Sequence, residues 1–182
     1  MEKSTKSSAI PWVKLGLMVL KGIVKRVKVA RKLKYKILTD PILYEFTGDY
    51  YKGRKIWVLN ESVQIEVNEK IYEIPKGFRW DGWSVPSIVR KFFDLNDDPI
   101  PALFHDFFYR LAGLLPITQD EADLLLRQIA IDRDLELGET NIAYGWVAIS
   151  GSLIWNRYKN MTLTERKEAW HNEDITFNFE KE

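Results

Sequence analysis

Two short stretches hold the residues from which chemistry would start. Asp81 lies between Trp80 and Trp83 in "FRWDGWSVP", and His105, one of two histidines in 182 residues, is followed by Asp106 in "ALFHDFFYR". With one of Asp106, Asp120 or Asp123, these residues offer two carboxylates and an imidazole. That donor set suits Mg²⁺, Mn²⁺, Fe²⁺ or Zn²⁺, and water activated by such an ion would serve a hydrolase. A second arrangement takes Ser84 as nucleophile, His105 as base and an aspartate as orienter. Both meet physical objections. Neighbouring residues on a helix point about 100° apart, which sets His105 and Asp106 against sharing one ion. Ser84 precedes Val85-Pro86, where it reads as a helix cap, and no glycine-flanked nucleophile elbow surrounds it.

The plainer reading makes these residues pins inside a folding core. His105 falls among Phe104, Phe107 and Phe108. A buried imidazole without partners would cost about 1–3 kcal/mol. It is therefore expected to bond Asp81 or Ser84 and so tie the preceding turn to its helix. Asp106 has Arg110 four residues on, a routine helix-surface pair. Asp120 and Asp123 share a helix face with Arg127 one turn beyond, and they join Ser84 as structural pins. On this reading no cofactor is expected. A divalent metal, held by Asp81, His105 and Asp123, enters only with the hydrolase.

These residues need elements to position them. From Ile37 to Ile74 the sequence is rich in β-formers. "KIWVL", "SVQIEV" and "KIYEI" are separated by polar turns, and "TGDYYKGRK" holds Gly48 and Gly53. One small antiparallel sheet or meander is expected over residues 42–74. "IPKG" then reads as a turn with Pro75 second and Gly77 fourth. Beyond Asp81 the period becomes helical. Ser84 would cap "VPSIVRKFF", and Asp98 the next helix, which runs to about Gly113. Thr118 and Glu121 form a capping box for residues 119–136. Residues 139–158 read as a buried helix in which Gly145 and Gly151 allow close packing. Thr164 would cap a last short helix. The fold class is α+β, a small antiparallel sheet followed by a helical half.

The net charge of +1 conceals a division. Residues 1–39 carry eleven lysines and arginines against one acid, a net +10, while the other 16 basic and 25 acidic residues leave −9. Such asymmetry points to a basic arm with its own partner. Val13, Leu17, Leu20, Val24 and Val27 recur at alternating spacings of four and three. Lys14, Lys21, Lys25, Lys28 and Lys32 form an adjacent stripe of partner-binding candidates. Residues 1–39 thus read as a basic amphipathic helical arm, and residues 40–182 as one globular domain. The arm admits its own domain or a partner subunit (a copy of itself or another protein), a membrane surface contacted through residues 10–34, or nucleic acid. Nucleic acid ranks last, because no aromatic stacking residues accompany the cations. Charges interrupt every apolar run long before the roughly 20 residues that span a bilayer, and no cleavable signal peptide is evident. The chain has no cysteine, which removes disulfides and thiolate chemistry. No phosphate-binding glycine loop or dinucleotide fingerprint occurs.

"IPKGFRWDGWSVP", "ALFHDFFYR" and "TQDEADLLLRQIA" together resemble the phage-borne domain-of-unknown-function family 1353. Pro75, Gly77, Phe78, Asp81, Ser84, Val85, Pro86, His105, Asp106, Tyr109, Ala122 and Asp123 match its pattern. Trp80 stands where the family has threonine, and Phe107 and Phe108 replace tyrosine and leucine. The likeness runs over about residues 40–158 and leaves the arm outside. It implies a product of phages or prophages, encoded among virion and lysis genes and acting in the host cytoplasm or the virion. The family's biochemical activity is unassigned.

Overall fold

A computed structural model describes residues 33–40, 42–83, 98–169 and 176–177. The basic stretch through Lys32, and Ser84 with the helix it would cap, lie outside the described residues.

The strand-rich half forms two three-stranded antiparallel sheets, where the sequence suggested one. The first has the order β1 (Tyr35–Ile37), β4 (Val63–Val67), β5 (Lys70–Ile74); the second has β2 (Tyr44–Tyr51), β3 (Arg54–Leu59), β6 (Arg79–Trp80). Alternation fixes the first sheet's inner face. Val63, Ile65 and Val67 are buried, and Val63 and Ile65 pair across the strands with Ile74 and Tyr72. A one-residue slip would turn all of them to solvent. The β4–β5 turn is Asn68-Glu69, both at positive φ, as a two-residue type I′ hairpin requires.

In the second sheet Phe46 faces Trp57 and Tyr50 faces Lys55, with a register shift between them that includes Gly48. The "IPKG" turn differs in frame from expectation. The Phe78 amide donates to the Pro75 carbonyl at 3.2 Å, and Gly77 has φ +82°. Pro75 is therefore the first residue and Gly77 the third, where a type II turn needs left-handed backbone.

Four helices follow: α1 (Ile100–Arg110), α2 (Gln119–Asp132), α3 (Leu137–Lys159) and α4 (Leu163–Glu168). The α1 helix is apolar nearly all round because it is packed on every side; Phe104, Phe107 and Phe108 are all buried. Its start is held by Asp98, whose Oδ1 accepts the Ile100 amide at 2.9 Å. The expected capping box of Thr118 and Glu121 opens α2. The last helix is capped by Thr162 with Glu165, not by Thr164. Both threonines suit the role, and a glutamate three residues on decides for Thr162. From α4 the buried Arg166 donates to the carbonyls of Arg110 and Ala112 at 2.9 and 3.1 Å. Those carbonyls belong to the C-terminal end of α1. One core joins the inner faces of the strands to α1 and α2. A smaller cluster of Trp83, Leu126, Ala130, Ala143 and Val147 lies between α2 and α3.

Candidate functional site

The sheet end, α1 and α2 converge on a buried polar cluster. His105 and Tyr109 are four residues apart on α1 and therefore share a face; their ring centroids are 4.1 Å apart. Both reach the same carboxylate on α2. His105 Nε2 is 3.1 Å from Asp123 Oδ1, and the Tyr109 hydroxyl donates to that oxygen at 2.6 Å. Gln119, one turn before Asp123, donates to Oδ2 at 3.4 Å. The Gln119 carbonyl oxygen accepts from Ser152 on α3 at 3.1 Å. Room for the phenol comes from Gly151, since a Cβ there would stand 2.1 Å from the Tyr109 hydroxyl.

The other side of the imidazole faces the sheet. His105 Nδ1 is 3.7 Å from Asp106 Oδ1, and Arg110 Nη2 is 3.7 Å from Asp106 Oδ2. The Asp81 carboxyl lies close enough to Asp106 to feel its charge, and Arg54 at the start of β3 forms an ion pair with Asp81. Arg110 lies over the Phe78 ring at 4.6 Å and donates to the Arg79 carbonyl. The result is a row of charged groups in which two cations flank a pair of acids and a third acid closes the end: Arg54, Asp81, Asp106, His105, Asp123. It crosses from the second sheet to α2.

Burial makes the row's electrostatics strong. Asp81, His105 and Asp123 are 2%, 6% and 1% exposed. Burial alone would push the imidazole down, but the carboxylates of Asp106 and Asp123 outweigh it and raise His105 to about 9. It is therefore an imidazolium at neutral pH, with Nε2–H donating to Asp123 and Nδ1 facing the Asp106 carboxylate at 3.7 Å. Burial and the Asp106 charge, opposed by Arg54 and Arg110, push Asp81 up to about 7. Burial also disfavours the Asp106 anion, yet His105 and Arg110 hold it below the usual carboxylate range.

The signs define a pH window. His105 is raised, so its stabilisation is complete below its ordinary value near 6.5 and is lost as pH rises through 9. Asp81 is also raised, so its contribution is complete below 3.8 and is lost as pH rises through 7. Asp106 acts oppositely, and its contribution is lost at acid pH. Stability is therefore expected to fall between pH 6 and 9.5, with His105 accounting for of order 3 kcal/mol. Urea midpoints at pH 6, 7.5 and 9.5 would measure it, and His105→Gln should flatten the alkaline limb. A wild-type midpoint that holds or rises over that range would sink this account.

The cluster gathers Asp81, His105, Asp106 and Asp123, but not in the expected pairing. His105 bonds Asp123 rather than Asp81, because Asp81 is engaged by Arg54. The Asp106–Arg110 pair is buried rather than on the surface. Asp120 is exposed on the first turn of α2. Among the described residues, no three histidine, aspartate or glutamate side chains are arranged to hold a metal ion, and Asp81, His105 and Asp123 do not converge on one point. Arg54 and Gln119 were not anticipated, whereas Gly151 was expected to allow close packing and does so, against Tyr109. Gln119, four residues before Asp123 on a helix, was recoverable from spacing; Arg54 carried no local signal.

A family model described as "Protein of unknown function (DUF1353)" matches residues 57–148, from β3 into α3. The chain belongs to this family. Neither a curated protein nor a solved structure matches it. The DUF1353 match takes in Asp81, His105, Asp106 and Asp123, the acids and imidazole of the row. It leaves out the residues that close the two ends, Arg54 and Gly151. Within this DUF1353 chain, none of the described helices is long and apolar enough to cross a membrane.

Proposed function

We propose that the chain is a phage or prophage assembly component, associated with the virion or its construction in the host cytoplasm. In this reading a rigid α+β body presents a basic N-terminal segment to a protein partner. The observation that carries it is the closure of the polar row. Asp81, His105, Asp106 and Asp123 are buried or nearly so, and each is paired with an opposite charge of the same chain. A group acting on substrate would need that pairing opened. A hydrolase would in addition need Arg54 and the imidazolium displaced before a cation could enter among the carboxylates. What supports the partner role is the charge division, +10 in residues 1–39 against −9 elsewhere. Like charges along one helix face repel, so the lysine stripe calls for an anionic surface. The aliphatic stripe beside it favours protein over phosphate, which offers methyl groups nothing to bury against.

Sedimentation of the full chain over a salt series tests this, alone, with anionic vesicles and with single-stranded DNA. Wild type is expected to self-associate or to bind an acidic protein partner at low salt. Replacing Lys14, Lys21, Lys25, Lys28 and Lys32 with glutamate should abolish that. Binding to vesicles alone or to DNA alone would overturn the protein-partner reading in favour of that surface. A monomer indifferent to all three would leave the segment no external role.

A further inference from the structure

The outward face of α3 has no covering element among the described residues. Ile142, Trp146, Ile149 and Leu153 recur along it at spacings of four, three and four, with Trp146 at its margin, partly buried against the small cluster between α2 and α3. Leu153 is 82% exposed, and Ile142 and Ile149 are 38% and 37% exposed. Soluble helices ordinarily turn such a stripe inward. Here the inward face is a different one, made by Ala143, Tyr144, Val147 and Gly151.

We propose that this face docks the N-terminal segment of a second copy of the chain, with Val13, Leu17, Leu20, Val24 and Val27 laid along it. The inference rests on the reading above, that the basic segment engages a protein, and names that protein. Three observations carry it. The two stripes have the same alternation of four and three, the spacing by which two helices interdigitate at a shallow angle. Charge is complementary, since Asp134, Glu136 and Glu139 flank the start of α3 and lysines flank the aliphatic residues of the segment.

The third observation is reach. Leu33 is fastened to α2: its amide donates to Gln128 Oε1 at 3.1 Å. Leu126 and Ala130 are the α2 residues that pack on α3. Gln128 follows Leu126 by two residues, about 200° around the helix, so Leu33 lies on the side of α2 away from α3. The exposed stripe is on the far side of α3 in turn, since Ile149 follows the inward Val147 by two residues. A segment of the same chain would have to pass round both helices, about two diameters or ~20 Å. The six steps from Val27, the last stripe residue, to Leu33 span at most about 21 Å when fully extended, which covers that straight-line distance but leaves nothing for the longer path round the outside of two helices. A second copy is free of that tether.

The chain has no cysteine, so introduced thiols report the contact directly. Full-length chains carrying Leu153→Cys are mixed with full-length chains carrying Leu17→Cys, Leu20→Cys or Val24→Cys, under mild oxidation. The expected product is a disulfide-linked dimer containing one of each, formed several-fold faster than by Leu153→Cys alone. Leu153→Glu should leave the fold intact and convert the wild-type dimer to monomer. Cross-linking by Leu153→Cys alone would show that α3 packs on itself. Cross-linking within one chain of the double variant Leu20→Cys/Leu153→Cys would show that the segment covers its own body. Either result overturns the proposal, as does no cross-link at all. If low-salt association persists in Leu153→Glu but is lost in the lysine variant, this inference fails while the assembly reading stands. If neither variant changes the sedimentation, both fail.

Discussion

Replacing Asp123 with alanine is expected to destabilise the fold by about 3–5 kcal/mol, the range for a buried ion pair broken from one side. Three groups lose their acceptor at once: the His105 imidazolium, the Tyr109 hydroxyl and the Gln119 amide. The imidazolium sets the magnitude, since it is left in a site 6% exposed, with the Asp106 carboxylate 3.7 Å from Nδ1 on its other side. Asp123→Asn should cost less, because its amide oxygen can still accept from the phenol. It should also bring the His105 titration back toward its ordinary range. Urea denaturation at pH 6 gives the first quantity and NMR titration of the imidazole the second. A loss in Asp123→Ala of less than about 1 kcal/mol, the size of an average substitution, would mean that the row does not hold the helices together.

Gly151→Ala is the second large effect expected. The added methyl would stand 2.1 Å from the Tyr109 hydroxyl and 3.0 Å from Gln119 Nε2. Tyr109 is buried and its ring packs edge-on against Trp155 at 5.1 Å, so the phenol has little room to withdraw. Overpacking of this kind costs about 1–3 kcal/mol, and the Tyr109–Asp123 bond is lost in addition. Tyr109→Phe removes the offending oxygen. The double variant Gly151→Ala/Tyr109→Phe should therefore be more stable than the two single losses summed, a positive coupling measurable by a double-mutant cycle. Additive losses would show that α3 shifts bodily rather than clashing at this point.

How much of this could be read in advance depended on range. Thr118 and Glu121 were legible as a capping box because the bonds close within one helical turn. The strands around Asn68 were legible because alternation has a period of two and the polar break is local. Thr162 was missed for Thr164 because both sit at the right boundary, and only the glutamate three residues on separates them. Two sheets were read as one because a run of strand signals does not say which strands pair; β1 pairs with β4, nearly thirty residues on. The members of the polar row were visible as Asp81, His105, Asp106 and Asp123, but their pairing was not. It depends on Arg54 arriving from a hairpin turn and on α2 lying against α1, both set by tertiary packing. The segment read as the end of the arm carries Leu33 and β1, whose apolar residues belong to the core.

Arg166 gives the body an order of completion. Its guanidinium supplies donors to carbonyls more than fifty positions earlier in the chain, and helix ends without donors are poorly tolerated in a dry interior. During synthesis, the C-terminal end of α1 must wait for a side chain made more than fifty residues later. Until then, partial chains would carry an unsealed helix end close to the apolar core, a condition in which chaperones bind and proteases cut.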